Sequence, residues 1–288
     1  MPTVRPPLFL LLFFCLTGAP SHAQGPSSKR SIDAAFSSIQ RLDFELVSRL
    51  PHNPEIFTEG LEWVDERLVE SSGLYGRSAL ILRKIAQVEP LLRLPLPADV
   101  FAEGLTFFDS RYYLLSWREQ RALVLNERFE TLKTLHYEGE GWGLTHDASG
   151  LIMSDGSARL TFRRADDFAI TRVLEVRLDG QPLTQLNELE YAHGLVFANL
   201  WHSDRIVLID PHSGQVRAYL DLSPLRQQMR TDAVAFDSEA VLNGIAWDRK
   251  RDVFYVTGKR WPWLFALRLK QRPPMPSARE QAPSAIAQ

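Results

Sequence analysis

The chain has 288 residues, 45% hydrophobic and 24% charged, with a formal net charge of −2. That balance belongs to a globular protein with material for a large core. Charge this close to neutral argues against a nucleic-acid partner, which needs a basic footprint against the phosphates.

The first element in chain order is an address rather than part of a fold. Arg5 precedes an apolar run from Leu8 to Leu16, and Ser21-His22-Ala23 is a small-x-small cleavage signature. The run is too short to span a bilayer comfortably, so residues 1–23 are expected to be a cleaved signal peptide. The protein is then exported, periplasmic or secreted, with no membrane attachment after cleavage. Cys15, the only cysteine, lies inside the apolar run. Cleavage therefore removes any disulfide or thiol chemistry. Residues 24–40 are rich in Ser, Gly, Pro and Ala and read as a flexible linker, and 272–288 read as a disordered tail. The folded domain is expected over residues 41–271.

A strand at Arg41 (RLDFELVSRL) comes next, without a hairpin partner of its own. Five repeats follow. GLEWVDERLVESSG starts at Gly60, GLTFFDSRYYLLSW at Gly104, GLTHDASGLIMSDG at Gly143, ELEYAHGLVFANLW at Glu188 and GIAWDRKRDVFYVTGK at Gly244. Each reads as a strand, a turn and a return strand. A third strand follows each (SALILRKI, RALVLNE, ARLTFRR, RIVLIDP, WLFALRL), and a fourth follows most, as in TLKTLHY, TRVLEVRL and VRAYLDL. Four-stranded units whose starts lie 39 to 56 residues apart predict an all-β, five-bladed β-propeller. The unpaired strand at Arg41 is expected to complete the last blade and close the ring, which removes sheet edges. Only 224–230 competes as a short helix.

Propeller symmetry brings equivalent positions to one axis. The residue before each repeat start is Glu59, Glu103, Trp142, Asn187 or Asn243. Thirteen positions after the start stand Trp117, Gly156 and Trp201, and Lys259 takes the matching place in the fifth repeat, two residues later. One channel mouth should therefore gather two carboxylates, two amides, three indoles and an ammonium, which is the composition of a pocket. Taken singly, each has an ordinary structural use: Glu and Asn bonding to nearby backbone, Trp packing between sheets. Convergence on one rim is what favours function. His136, His146, His193, His202 and His212 lack metal-ligand spacing and are expected on surfaces or turns, as is the hairpin tip Arg249-Lys250-Arg251.

The stretches FTEGLEW, ESSGLYGRS, FAEGLTFF, GEGWGLT, LNELEY with ANLWHSD, and LNGIAWD with VTGKRWP resemble the glutamine cyclotransferase family across all five repeats. The resemblance implies a five-bladed propeller, unrelated to the zinc-dependent animal enzymes, that closes N-terminal glutamine of peptides or proteins into pyroglutamate and releases ammonia. It implies Glu103 as the catalytic acid/base. Phe101, Trp117, Trp142 and Trp201 match the substrate-binding walls, and Asn187 and Lys259 its polar groups; Phe57 and Glu59 in FTEGLEW are taken as substrate-binding beside them. Plant members tend to carry Gln where this chain has Glu59, which adds a second carboxylate beside Glu103.

The reaction asks little of a protein. An α-amine with a pKa of about 7.7–8.0 is partly free near neutrality, so no cofactor is required. The side chain must be folded back on the amine, an oxyanion stabilised and a proton moved to the leaving nitrogen. Two rival readings use the same convergence. In a metal-dependent propeller lactonase or esterase, Glu59, Glu103, Asn187 and Asn243 would ligate Ca²⁺. A non-enzymatic propeller would bind a peptide on its rim. A structural Ca²⁺ in the channel is left open by the sequence.

Overall fold

The computed structural model describes residues 33–231 and 238–276; the expected signal peptide, residues 24–32 of the linker and the tail beyond 276 lie outside the described residues. Among the described residues no helix is long and apolar enough to cross a membrane.

Five antiparallel sheets carry the repeats. Blade 1 comprises Thr58–Val64, Arg67–Ser72, Ala79–Lys84 and Leu92–Pro95. Blade 2 comprises Ala102–Phe108, Arg111–Ser116, Arg121–Leu125 and Thr131–His136. Blade 3 comprises Leu144–Asp147, Gly150–Ser154, Arg159–Arg163 and Ile170–Glu175. Blade 4 comprises Leu186–Ala192, Leu195–Leu200, Arg205–Ile209 and Val216–Asp221. Blade 5 comprises Leu242–Asp248, Val253–Gly258 and Trp263–Leu269, and its outermost strand is Phe44–Pro51 from the N-terminal part of the chain. The helix Ser223–Thr231 links blades 4 and 5 where the sequence allowed one.

The first strand of each repeat is innermost, and the innermost strands of neighbouring blades contact one another around the whole ring. They are mostly buried, whereas outermost strands such as Thr131–His136 alternate between exposed and half-buried residues. The apolar residues form five large clusters, one per blade interface. Val69 and Leu80 meet Leu105 and Leu114, Tyr113 and Leu115 meet Leu144 and Leu151, and Ile152 and Phe162 meet Leu186 and Val196. Phe197 and Leu208 meet Leu242 and Phe254, and Ala246 and Tyr255 meet Leu61 and Leu68. Hydrophobic burial thus holds blade against blade and leaves the axis to polar side chains.

The domain starts earlier than its composition implied. Residues 33–37 form a helical turn, and Phe36 is buried in the cluster between blades 3 and 4. Gln40–Leu42 then pairs parallel with Val216–Asp221 as a fifth strand of blade 4. The spacing of Ala35, Phe36 and Ile39, all packed on that cluster, is a short helical stripe that Ser- and Ala-rich composition masks. At the other end Pro273 is buried and Pro276 lies against Gly194, so the ordered chain runs past residue 271.

Candidate active site

The inner strands of four blades carry a register shift at the same place: between Thr58 and Gly60, Ala102 and Leu105, Leu186 and Leu189, and Leu242 and Ile245. A bulge leaves a residue out of the ladder and re-aims its side chain. Glu59, Glu103, Asn187 and Asn243 sit at these bulges. The strands approach closely there: Gly104 N–H donates to Trp142 O at 2.6 Å, and a Cβ on Gly104 would stand 2.6 Å from that oxygen. Polar side chains on the neighbouring strands complete the joints, Ser71 Oγ donating to Glu103 O and Ser154 Oγ to Asn187 O. Where the fourth repeat has Glu188 in place of glycine, its carboxylate accepts N–H bonds from Leu61 at 3.2 Å and Ile245 at 2.8 Å, tying blade 4 to blades 1 and 5.

At the bulged end the channel opens into a cavity of about 260 Å³ lined by Phe57, Glu59, Leu74, Phe101, Glu103, Trp117, Trp142, Asn187, Trp201, Glu239 and Lys259. Every residue expected to be catalytic or substrate-binding is among them, but not every residue that propeller symmetry placed at the mouth. Asn243 is not. It lies fully buried behind Glu59, donating from Nδ2 to Thr58 O at 2.9 Å and to Glu59 Oε2 at 3.3 Å. The mouth therefore has one amide, Asn187, and Asn243 serves the backbone and the carboxylate next to it.

The aromatic walls contact one another. Phe101 meets Phe57 edge-on at 6.3 Å and Trp117 at 5.4 Å, and Trp142 meets Trp201 edge-on at 5.4 Å. Gly156, at φ +77°, stands where the second and fourth repeats have an indole; a Cβ there would lie 2.7 Å from the Trp142 ring, so the missing side chain is what seats that ring. Glu140, unmarked by repeat symmetry, fixes two indoles. Its Oε2 accepts from Trp117 Nε1 at 2.8 Å and Trp142 Nε1 at 3.1 Å, and its Oε1 from Arg118 Nε at 2.9 Å. Arg118 stacks over the Trp117 ring at 3.7 Å. These hydrogen bonds hold the Glu140 carboxyl below the usual range despite partial burial. With those two N–H groups committed, the third indole differs: Trp201 Nε1–H is buried with no partner among the described residues, and so is Asn187 Oδ1.

Two carboxyls meet at the base. Glu59 is 1% and Glu103 6% exposed, and they lie within hydrogen-bonding reach of each other. Lys259 Nζ donates to Glu59 Oε1 at 2.8 Å and lies 4.7 Å over the Phe57 ring. Burial pushes Glu59 up to about 7, opposed by Lys259. Burial, then the Glu59 charge, pushes Glu103 well above the usual range. Two carboxyls buried this close disfavour double ionisation, and the ammonium pairs with Glu59, so the charge belongs on Glu59 and the proton on Glu103. Beneath Glu59 a second buried group supports its strand. Glu70 accepts from Thr58 Oγ1 at 2.6 Å and contacts His52 Nε2 at 3.0 Å and Arg83 Nε at 3.9 Å, while His52 Nδ1 meets Trp261 O at 2.6 Å.

Among the described residues no three of His, Cys, Asp and Glu are placed to hold a metal ion together. Glu59, one of the four Ca²⁺ ligands the lactonase reading requires, is instead paired with an ammonium, which would repel a cation. His146 is not the surface residue expected: it lies on an inner strand with Nδ1 2.8 Å from Thr106 Oγ1, which also bonds Glu62.

The model of the glutamine cyclotransferase family matches residues 13–269. The chain belongs to that family. It is 36% identical over 270 residues to the glutaminyl-peptide cyclotransferase of Arabidopsis thaliana, covering 91% of this chain and 80% of that one. The crystal structure of Myxococcus xanthus glutaminyl cyclase, 35% identical, superposes with a TM-score of 0.76 over 80% of this chain and 98% of that one. Within this cyclotransferase, sequence reasoning missed Leu74 and Glu239 in the lining and Glu140 behind it. Leu74 and Glu239 sit in irregular segments outside the repeat pattern. Glu140 had one signal, its place two residues before Trp142 in GEGW.

Proposed function

We propose that the protein is a glutaminyl-peptide cyclotransferase that converts N-terminal glutamine of peptides or proteins into pyroglutamate with loss of ammonia. The observation that carries this reading is that one cavity is lined by Trp201, whose Nε1–H is a donor without a partner, and by Asn187, whose Oδ1 is an acceptor without one, above two buried carboxyls, Glu59 and Glu103. A primary carboxamide is the complement: its oxygen accepts from Trp201 and its NH₂ donates to Asn187.

The aromatic walls fold the glutamine side chain back on the α-amine, and orientation of this kind reaches effective molarities of about 10⁵–10⁸ M. The neutral amine attacks Cδ, and the developing oxyanion draws on Trp201 Nε1–H and on the Lys259 charge. Glu103 gives its proton to the departing nitrogen, takes one from the new ring nitrogen, and ammonia leaves neutral. Glu59 stays charged on Lys259, which keeps the proton on Glu103 at rest. The chemistry runs on these side chains without a metal. The protein acts after export, in the periplasm or outside the cell, once the signal peptide ending at Ala23 is removed.

Ammonia release from a Gln-initiated dipeptide tests the assignment. Glu103→Gln keeps the shape and a hydrogen-bonding head but no transferable proton, so its turnover should fall by about 10²–10⁴-fold with folding intact. Near wild-type turnover would remove Glu103 from the role.

A further inference from the structure

We infer that the chain's own amino terminus is a substrate of this site, reached within one molecule; this rests on the cyclotransferase reading and on signal cleavage after Ala23. The residue that cleavage exposes is Gln24, followed by Gly25-Pro26-Ser27-Ser28. The described chain begins at Asp33, which accepts from Arg205 at 2.8 Å. Arg205 opens the third strand of blade 4 and follows the cavity residue Trp201 by four positions. The N-terminal segment is thus anchored on the blade that carries Trp201 and Asn187. Phe36 beneath the Arg205 guanidinium at 4.5 Å, and the parallel strand Gln40–Leu42, hold the anchor in place.

Chain length decides whether the terminus can enter. Four residues from Trp201 to Arg205 span at most about 14 Å, and the extended Arg and Asp side chains with the 2.8 Å bond between them add about 13 Å. Asp33 is therefore within about 27 Å of Trp201, an upper bound set by connectivity. Gln24 precedes Asp33 by nine residues, a reach of about 30 Å when extended. The tether is longer than the farthest separation the chain permits. It also holds the terminus near the cavity at high effective concentration, the condition under which an intramolecular encounter outruns one between molecules. Signal cleavage hydrolyses the Ala23–Gln24 peptide bond. The Gln24 α-nitrogen then bonds to its own Cδ, the Cδ–Nε2 bond breaks, and ammonia leaves carrying the proton that Glu103 relays. No further reactant is consumed. The product is a mature protein whose terminus no longer carries a charge.

The test uses full-length mature protein made with a removable tag whose proteolysis leaves Gln24 first, followed by intact mass over time. The expected result is loss of one ammonia by the wild type at a rate independent of protein concentration, with Glu103→Gln retaining Gln24. A saturating Gln-initiated dipeptide should slow the wild-type reaction by competing for the cavity, a measurement that needs no variant. Equal, slow ammonia loss in both proteins overturns the inference, and wild-type turnover of the dipeptide in the same samples keeps the enzyme reading intact. A rate proportional to protein concentration overturns the intramolecular route. Wild type that turns over neither dipeptide nor terminus sinks the proposed function itself. Sequencing of the exported protein should find pyroglutamate at position 24; any other first residue removes the premise.

Discussion

Glu140 offers the most direct separation of geometry from chemistry, because it touches two cavity walls and not the cavity. In the Glu140→Ala variant the indoles of Trp117 and Trp142 each lose an acceptor, and Arg118 loses its partner above the Trp117 ring. A hydrogen bond to a charged group contributes about 1.5–3 kcal/mol when buried. The Glu140 side chain is 37% exposed, so water competes for it and the two indole bonds together are worth about 1–2 kcal/mol. Spent on holding the substrate folded, that corresponds to about a 5–30-fold loss in kcat/KM, carried mainly by KM. Glu140→Gln separates two contributions. It keeps an oxygen acceptor for the indoles and should recover most of the KM. It also removes a negative charge that helps hold the proton on Glu103, so the alkaline limb of its pH profile should move to lower pH. The assay is steady-state ammonia release from a Gln-initiated dipeptide across pH, with melting curves to establish folding. A Glu140→Ala variant with wild-type KM and kcat would show that packing alone seats the indoles and that the carboxylate is incidental.

Three further outcomes follow from the same geometry. In Glu59→Gln the like charge that raises Glu103 is gone and Lys259 is left facing Glu103, and both changes lower the Glu103 pKa; because catalysis needs that proton, the alkaline limb should fall by roughly one unit or more, and an unmoved limb would mean the carboxyls are not coupled. Exhaustive chelation should leave turnover unchanged, since the nucleophile is an amine already free near neutrality; activity lost with EDTA and restored by Ca²⁺ would overturn the metal-free mechanism. Glu70→Leu strips the carboxylate from buried His52 and Arg83 and should cost about 3–5 kcal/mol, read as a lower urea midpoint. The Glu70 carboxyl is held below its usual range, chiefly by His52 against the opposing effect of burial. Its contribution is therefore present above the unfolded pKa and lost as pH falls, so the gap between variant and wild type should narrow in acid.

Why the site was legible and its supports were not comes down to where symmetry acts. The repeat places one residue per blade at the mouth, and the bulges at Glu59, Glu103 and Asn187 turn that residue inward. Reading down equivalent positions therefore finds the side chains that converge. The same rule overreaches at Asn243, which sits at the bulge of the fifth blade but whose Nδ2 is taken by Thr58 O and Glu59. Symmetry specifies a position, and only the neighbouring blade decides whether the side chain reaches the cavity or the backbone. Glu140, Leu74 and Glu239 lie in connections where the repeats diverge, so no periodicity marks them. The N-terminal anchor was hidden for a different reason: one buried Phe36 and a three-residue strand are too little pattern to stand out from Ser- and Ala-rich sequence. Protonation is the most remote from sequence. Two glutamates at repeat starts give no sign that one will hold a proton and the other a charge. That assignment comes from Lys259, fifteen residues beyond Gly244 on a different blade from either carboxyl, reaching Glu59 Oε1 and not Glu103. The asymmetry that makes one of two like residues an acid is therefore set by a single ammonium, and exchanging Lys259 for a neutral side chain would leave the wall residues in place while removing the distinction between the pair.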